Sequence, residues 1–156
     1  MKAEKTNVMR VLDSRKISYQ AHFYEPDPQL SGEEIAALQG ENSGQVFKTL
    51  VTEGSPARFY VFIVPVSEEL NLKKAALAAG EKSVRMIRQK DLLPLTGYVH
   101  GGCSPIGMKK AFPMFMHQSA EKLDRVFVSG GKVGCQVELA PEDLRRLTGL
   151  RYADLV

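Results

Sequence analysis

Tryptophan is absent from the 156 residues, cysteine occurs twice and histidine three times. Neither Cys103 nor Cys135 lies in a Cys-x-x-Cys pair or near a His pair at zinc spacing, which argues against a metal site and a disulfide scaffold. No apolar run approaches the ~20 residues needed to cross a bilayer, and the opening MKAEKTNVMR lacks the apolar stretch of a secretory signal. A cytoplasmic protein without membrane contact is expected. One sign of charge does not dominate either: Lys and Arg number 21 against 18 Asp and Glu, a net charge of +3. That balance permits contact with RNA without demanding it. Hydrophobic residues at 44% and charged residues at 25% are ordinary for a folded domain, so disorder and fibrous repeats are excluded. The length fits one domain over 1–156 with its own core.

Val8, Val11 and Leu12 share one face of a short helix that ends near Arg15. Ile17, Tyr19, Ala21 and Phe23 alternate with polar residues as in a half-buried strand, which Pro26 and Pro28 end. Ser31 followed by Glu34 matches a capping box, with Ile35 and Leu38 as the apolar face and Gly40 as the stop. VFKTLVTE, the turn Gly54-Ser55-Pro56 and RFYVFIVPV predict an antiparallel hairpin whose second strand is central. A helix over about Asn71–Ala79, a strand in SVRMI and a helix ending before Thr96-Gly97 follow. Next, after a short strand, YVHGGCSPIG forms a loop. The strands PMFMHQ, RVFVSG and CQVELA and a last helix from Pro141 to about Leu147 complete the chain. About seven strands and four or five helices that do not alternate one for one predict an α+β fold: a curved, mixed, mostly antiparallel sheet with helices outside.

Candidate functional residues are modest when taken singly. Lys48, in a run of strand formers, is either a solvated surface cation or a charge that holds a phosphate or carboxylate. The loop Gly101-Gly102-Cys103-Ser104-Pro105-Ile106-Gly107 either closes the sheet or lines a concavity with N–H groups that stabilise negative charge. It lacks the Gly-Lys-Ser/Thr ending of a phosphate-binding Walker loop. Cys103, three residues from His100, reads as packing before nucleophile. The turn Ser129-Gly130-Gly131-Lys132 has the same two readings, and a hairpin turn with a solvated lysine comes before an anion-binding loop. His22 and His117 have no recognisable partners.

Taken in order, FKTLV at 47–51, NLKKAA at 71–76, TGYVHGGCSPIG at 96–107, VSGGK at 128–132 and VELAPEDL at 137–144 resemble the YbaK/EbsC family, relatives of the editing domain inserted in prolyl-tRNA synthetases. The resemblance implies a single domain with a barrel-like mixed sheet. It also implies an activity: removal of cysteine wrongly attached to proline tRNA, with the same reaction on cysteinyl-tRNA(Cys) left open. Lys48 matches the family's essential lysine, with Thr49 beside it, and Gly101 to Pro105 match its Gly-x-x-x-P loop, a span that includes Gly102 and Ser104. Tyr24 and Ser129 match its substrate-lining tyrosine and serine.

On this reading the thiol of the substrate attacks its own ester carbonyl, Lys48 orients the substrate, and N–H groups from Gly101 to Ile106 stabilise charge. No cofactor and no metal are expected. The implied partners are the 3′ end of aminoacylated tRNA(Pro) and, transiently, prolyl-tRNA synthetase. The alternatives are an alanyl-tRNA(Pro) hydrolase and a non-catalytic RNA-binding or regulatory module. Two departures touch the pocket edge: Leu30-Ser31 stand before Gly32 where relatives often have an aromatic, and Val133 replaces the usual arginine.

Overall fold

A computed structural model of the chain describes residues 5–27 and 29–156; the expected break at Pro28 lies outside them. The elements run α1 (Asn7–Ser14), β1 (Gln20–Phe23), α2 (Gly32–Leu38), β2 (Phe47–Glu53), β3 (Phe59–Pro65), α3 (Leu72–Ala79), β4 (Arg85–Met86) and α4 (Gln89–Thr96). They continue with β5 (Met114–His117), a 3₁₀ turn (Gln118–Lys122), β6 (Val126–Ser129), β7 (Cys135–Leu139), α5 (Pro141–Thr148) and β8 (Arg151–Ala153). The fold is a mixed α+β unit with five helices and two sheets.

The strands separate into two sheets where the sequence suggested one. The first is antiparallel, in the order β1-β7-β6; the second, β4-β2-β3-β5-β8, is mixed, with β3/β5 and β5/β8 parallel. A single parallel bridge between Val46 and Phe127 joins them, and the Phe127 N–H donates to the Gln45 carbonyl at 2.9 Å. No closed barrel is found among the described residues. The expected hairpin of β2 and β3 forms, with a register that runs from Phe47 opposite Pro65 to Glu53 opposite Phe59. β3 is central and buried on both faces. Val61 and Ile63 enter the larger core with Met114 and Met116, beneath Val8 and Leu12 of α1, while Phe62 and Val64 enter a second cluster with Phe115 and the alanines of α3. Phe62 and Phe115 stack with ring centres 5.5 Å apart.

Local signals fixed most helix ends. The Ser31 hydroxyl accepts from the Glu34 N–H, and the Glu34 carboxylate accepts from the Ser31 N–H, each at 3.1 Å, completing the capping box. The apolar face of α2 differs from the expected one: Ala36 is buried against Val46 and Phe127, Ile35 is half-buried, and Leu38 is 75% exposed. Seven residues are too short for a full stripe, so the smallest apolar residue makes the contact. The first strand is also shorter than its alternation suggested. Ile17 and Tyr19 pack on the core before β1 begins, whereas Ala21 and Phe23 lie exposed on this edge strand. SVRMI pairs only at Arg85 and Met86, residues 98–100 form no strand, and β8 adds an eighth strand.

Replacing Phe62 by Ala should cost about 3–5 kcal/mol of unfolding free energy, since it empties a fully buried stacked site. Leu38→Ala should change stability by no more than about 0.5 kcal/mol. Chemical denaturation of both variants checks the pair, and a large loss at Leu38 would contradict the packing of α2.

Candidate functional site

Two of the candidate residues, Lys48 and Ser129, lie where the two sheets part. From the Val46–Phe127 bridge, two further residues along each strand in parallel register bring Lys48 and Ser129 to the same face at the point of divergence. Lys48 is half-buried, opposite Val64 on β3, and makes no ion pair or hydrogen bond among the described residues. Thr49 follows it in sequence and so faces the other way, opposite Ile63 on the side of the larger core. Its hydroxyl oxygen is buried and has no partner. Lys48 and Thr49 therefore present their groups to opposite faces of β2.

The glycine loop is held at both ends. At the C-terminus of α4 the buried Thr96 hydroxyl donates to the Leu92 carbonyl at 2.8 Å and accepts from the Tyr98 N–H at 3.0 Å. The Tyr98 hydroxyl donates to the Ile106 carbonyl, fastening one end of the loop to the other. Within it the Gly102 N–H donates to Val99 O at 2.9 Å, and the Ile106 N–H to Ser104 Oγ at 3.2 Å. Ile106 itself is fully buried in the core and has both backbone groups bonded, so it holds the loop without a free group to offer. The N–H groups of Gly101, Cys103 and Ser104 meet no acceptor among the described residues. Cys103 and Ser104 are buried, and so is Pro105, while Gly101 is exposed at φ +86°, in the left-handed region that suits glycine.

The loop rests on the turn between β6 and β7. A Cβ on Gly102 would stand 2.9 Å from the Val133 nitrogen and 3.0 Å from Lys132 Cα, so the two backbones touch with no room for a side chain. A Cβ on Gly101 would point at Val133 Cγ2, 3.4 Å away. The turn is braced by Ser129, whose Oγ accepts from the Gly131 N–H at 3.1 Å, and it is tied to the end of β1 by the Tyr24 N–H, which donates to the Gly134 carbonyl at 2.9 Å. A cavity of about 510 Å³ opens between Phe23–Pro26 and Lys132–Gly134. The larger concavity, about 620 Å³ beside β4 and α4, contains none of the predicted residues, and its arginines are paired, Arg85 with Glu53 at 2.6 Å and Arg88 with Asp91 at 3.4 Å.

Burial pushes the Cys103 thiol up to about 11, so at neutral pH it is protonated and a poor nucleophile. His100 is exposed and makes no bond to it. His22, expected to lack a partner, bonds Glu138 Oε1 through Nε2 at 2.8 Å, and Glu138 also faces Arg125 at 3.6 Å. His117 Nδ1 accepts from the Leu155 N–H at 3.2 Å and anchors the C-terminal segment. Beneath α2, burial raises the pKa of Glu41, whose carboxylate receives the amide of Gln136, the neighbour of both His22 and Ser129 in register. Of the two departures, Ser31 caps α2 and Val133 forms the exposed tip of the turn. Sequence reasoning overlooked Thr96 and Tyr98 as anchors of the loop. The signal was present in Thr96-Gly97-Tyr98, a helix stop followed at once by a hydroxyl-bearing aromatic. Among the described residues, no three His, Cys, Asp or Glu side chains gather to hold a metal ion, and no helix is long and apolar enough to cross a membrane.

Comparison with known proteins gives concordant results. The chain is 44% identical over 153 residues, covering 97% of it and 93% of the relative, to a protein of Enterococcus faecalis (strain ATCC 700802 / V583) provisionally named Cys-tRNA(Pro)/Cys-tRNA(Cys) deacylase EbsC. It is 26% identical over 102 residues, 65% of the chain, to the proline–tRNA ligase of Shouchella clausii (strain KSM-K16), of which it spans 18%. Its fold superposes with a TM-score of 0.81 and 26% identity on a crystal structure described provisionally as a trans-editing enzyme for prolyl-tRNA synthetase, over 97% of this chain and 98% of that one. The family model of the aminoacyl-tRNA editing domain matches residues 27–147, from just after β1 into α5, and the chain belongs to that family.

Proposed function

We propose that the chain is a trans-editing deacylase that removes cysteine from Cys-tRNA(Pro), with residues 1–156 acting as one editing unit. The observation that carries this reading is the loop: the N–H groups of two buried residues, Cys103 and Ser104, meet no acceptor among the described residues, in a segment held by Tyr98 and by the Gly102 contact. Fixed donors without a protein partner are what a developing oxyanion requires. A loop that only closed a sheet would have no use for them.

The substrate is an ester between cysteine and the terminal ribose of tRNA. Its thiolate sulfur attacks the ester carbonyl, the negative charge passes to the carbonyl oxygen near the loop donors, and the carbon–oxygen bond to the ribose breaks. The ribose oxygen takes a proton, and water later opens the small thiolactone. Lys48, free of any ion pair among the described residues, serves as a point charge for the terminal phosphate. Tyr24, Ser129 and the unpartnered Thr49 hydroxyl border the substrate. The neutral Cys103 thiol leaves the nucleophile to the substrate. The reaction belongs in the cytoplasm, where a transient complex with prolyl-tRNA synthetase and its tRNA would present the mischarged end.

The test is incubation of the pure protein with tRNA(Pro) charged separately with cysteine, alanine and proline. Only the cysteinyl form should be discharged rapidly; fast loss of alanine would replace the thiol mechanism by attack of water. Lys48→Ala should fold with nearly unchanged stability and lose roughly tenfold to a hundredfold in deacylation, the worth of one charge-assisted contact. Unchanged turnover and affinity would remove Lys48 from the site. Gly101→Ala should cost about 1–2 kcal/mol in stability through its positive φ, and below its melting transition it should discharge Cys-tRNA(Pro) roughly a hundredfold more slowly. A variant that melts early yet reacts at the parent rate would show that the loop only closes the fold.

A further inference from the structure

Beyond the amino acid and the terminal phosphate, the substrate carries unpaired bases, and the residues assigned so far leave them without a seat. We infer that the cavity between the end of β1 and the β6–β7 turn receives one base of the single-stranded 3′ end of the tRNA, with Phe23 as its stacking surface and Lys132 as its phosphate contact. This inference rests on the deacylase reading for the identity of the RNA.

The space is an open surface groove of about 510 Å³ and not an enclosed pocket, a shape that suits a base stacked on one face and open to solvent on the other. Phe23, at the end of an edge strand, is 50% exposed, an unusual position for a ring that has a core to enter. Val133 across the opening is 40% exposed, and Pro26 completes the apolar rim. A flat aromatic face beside a cation is the combination that single-stranded nucleic acid selects, because every base can stack and every link is anionic. Lys132 supplies that cation: it is exposed and makes no ion pair among the described residues. Glu25 also lines the cavity. Its carboxylate would repel a phosphate but accept from an exocyclic amine, as carried by cytosine and adenine, so it orients the base inward and the backbone toward Lys132.

The groove adjoins the glycine loop through Lys132 and Val133. Tyr24 lies between Phe23 and Glu25 and is bonded to Gly134, and Val133 Cγ2 is the atom that a Cβ on Gly101 would meet. A ribonucleotide chain whose terminal ester lies at the loop would thus leave past this rim. Val133 makes the rim apolar, which favours stacking and leaves Lys132 as the charge.

Two measurements test the inference. The first is fluorescence anisotropy of a 5′-labelled single-stranded CCA trinucleotide, which reports binding independently of catalysis. The second is the concentration of Cys-tRNA(Pro) that half-saturates single-turnover deacylation. Phe23→Ala should weaken trinucleotide binding and raise the half-saturating concentration roughly tenfold, and Phe23→Trp should restore both. Lys132→Ala should lower the slope of log affinity against log salt by about one. Leu77→Ala, at an 83% exposed position on α3, is the control for loss of an exposed apolar group. If the trinucleotide binds the Phe23 and Lys132 variants as it binds the parent, with the parent salt slope, the inference is overturned, and the exposed rim serves a protein surface instead. If it binds as expected but no charged tRNA is discharged, the base seat stands and the deacylase reading fails.

Discussion

Because a Cβ on Gly102 would lie within 3.0 Å of the Lys132 and Val133 backbone, the loop and the β6–β7 turn meet main chain to main chain. The loop comes from α4, packed on the second sheet's side of the core, and the turn belongs to the first sheet. Their contact leaves little freedom between loop and turn, since backbone meets backbone with no flexible side chain in between. Hydrogen bonds around the contact tie down what lies next to it: Gly102 to Val99, Tyr98 to Ile106, Tyr24 to Gly134. Loosening any one of them would free the loop or the turn to shift against the other.

The role of β2 follows from the period of a strand. Val46 packs against Ala36 of α2 and Phe127 of the first sheet, and Lys48 lies on that same face of β2 opposite Val64, whereas Phe47, Thr49 and Val51 face the larger core. If the proposed substrate uses both Lys48 and Thr49, it would have to straddle the strand near its start. A half-buried lysine with no ion pair among the described residues is tolerated there because its long side chain still reaches water.

The hairpin at 46–66, the capping box at Ser31 and the glycine loop were legible because each is determined by residues close in sequence. The two-sheet division was not, since it depends on β5 pairing in parallel with β3 and on β8 joining β5, and neither contact leaves a local trace. β8 is three residues long, too short for alternation to register. Phe23 was expected inside because alternation assigns it to the buried face; that face of an edge strand runs out of core before the strand ends. His22 appeared solitary because Glu138, its partner, is separated from it by most of the chain. At the site, residue types were readable and orientation was not: adjacent letters at 48 and 49 conceal opposite faces.

Cys103 and Ser104 are buried residues whose N–H groups meet no protein acceptor among the described residues, and the buried Thr49 hydroxyl meets none either; a donor left dry and unpaired would cost on the order of 1–3 kcal/mol. A loop under no functional demand would relax by rotating those amides toward a carbonyl or toward water. Here rotation is blocked, because Pro105 fixes one φ and Gly102 is pressed against the turn, while Ile106 is fixed through its side chain, its N–H and its carbonyl. The core thus holds the backbone of this loop in one arrangement. On the proposed reading, an oxygen that becomes more negative as the ester reacts would gain more from the Cys103 and Ser104 N–H groups than the neutral ester does, so donors fixed in this way would lower the barrier more than they tighten binding.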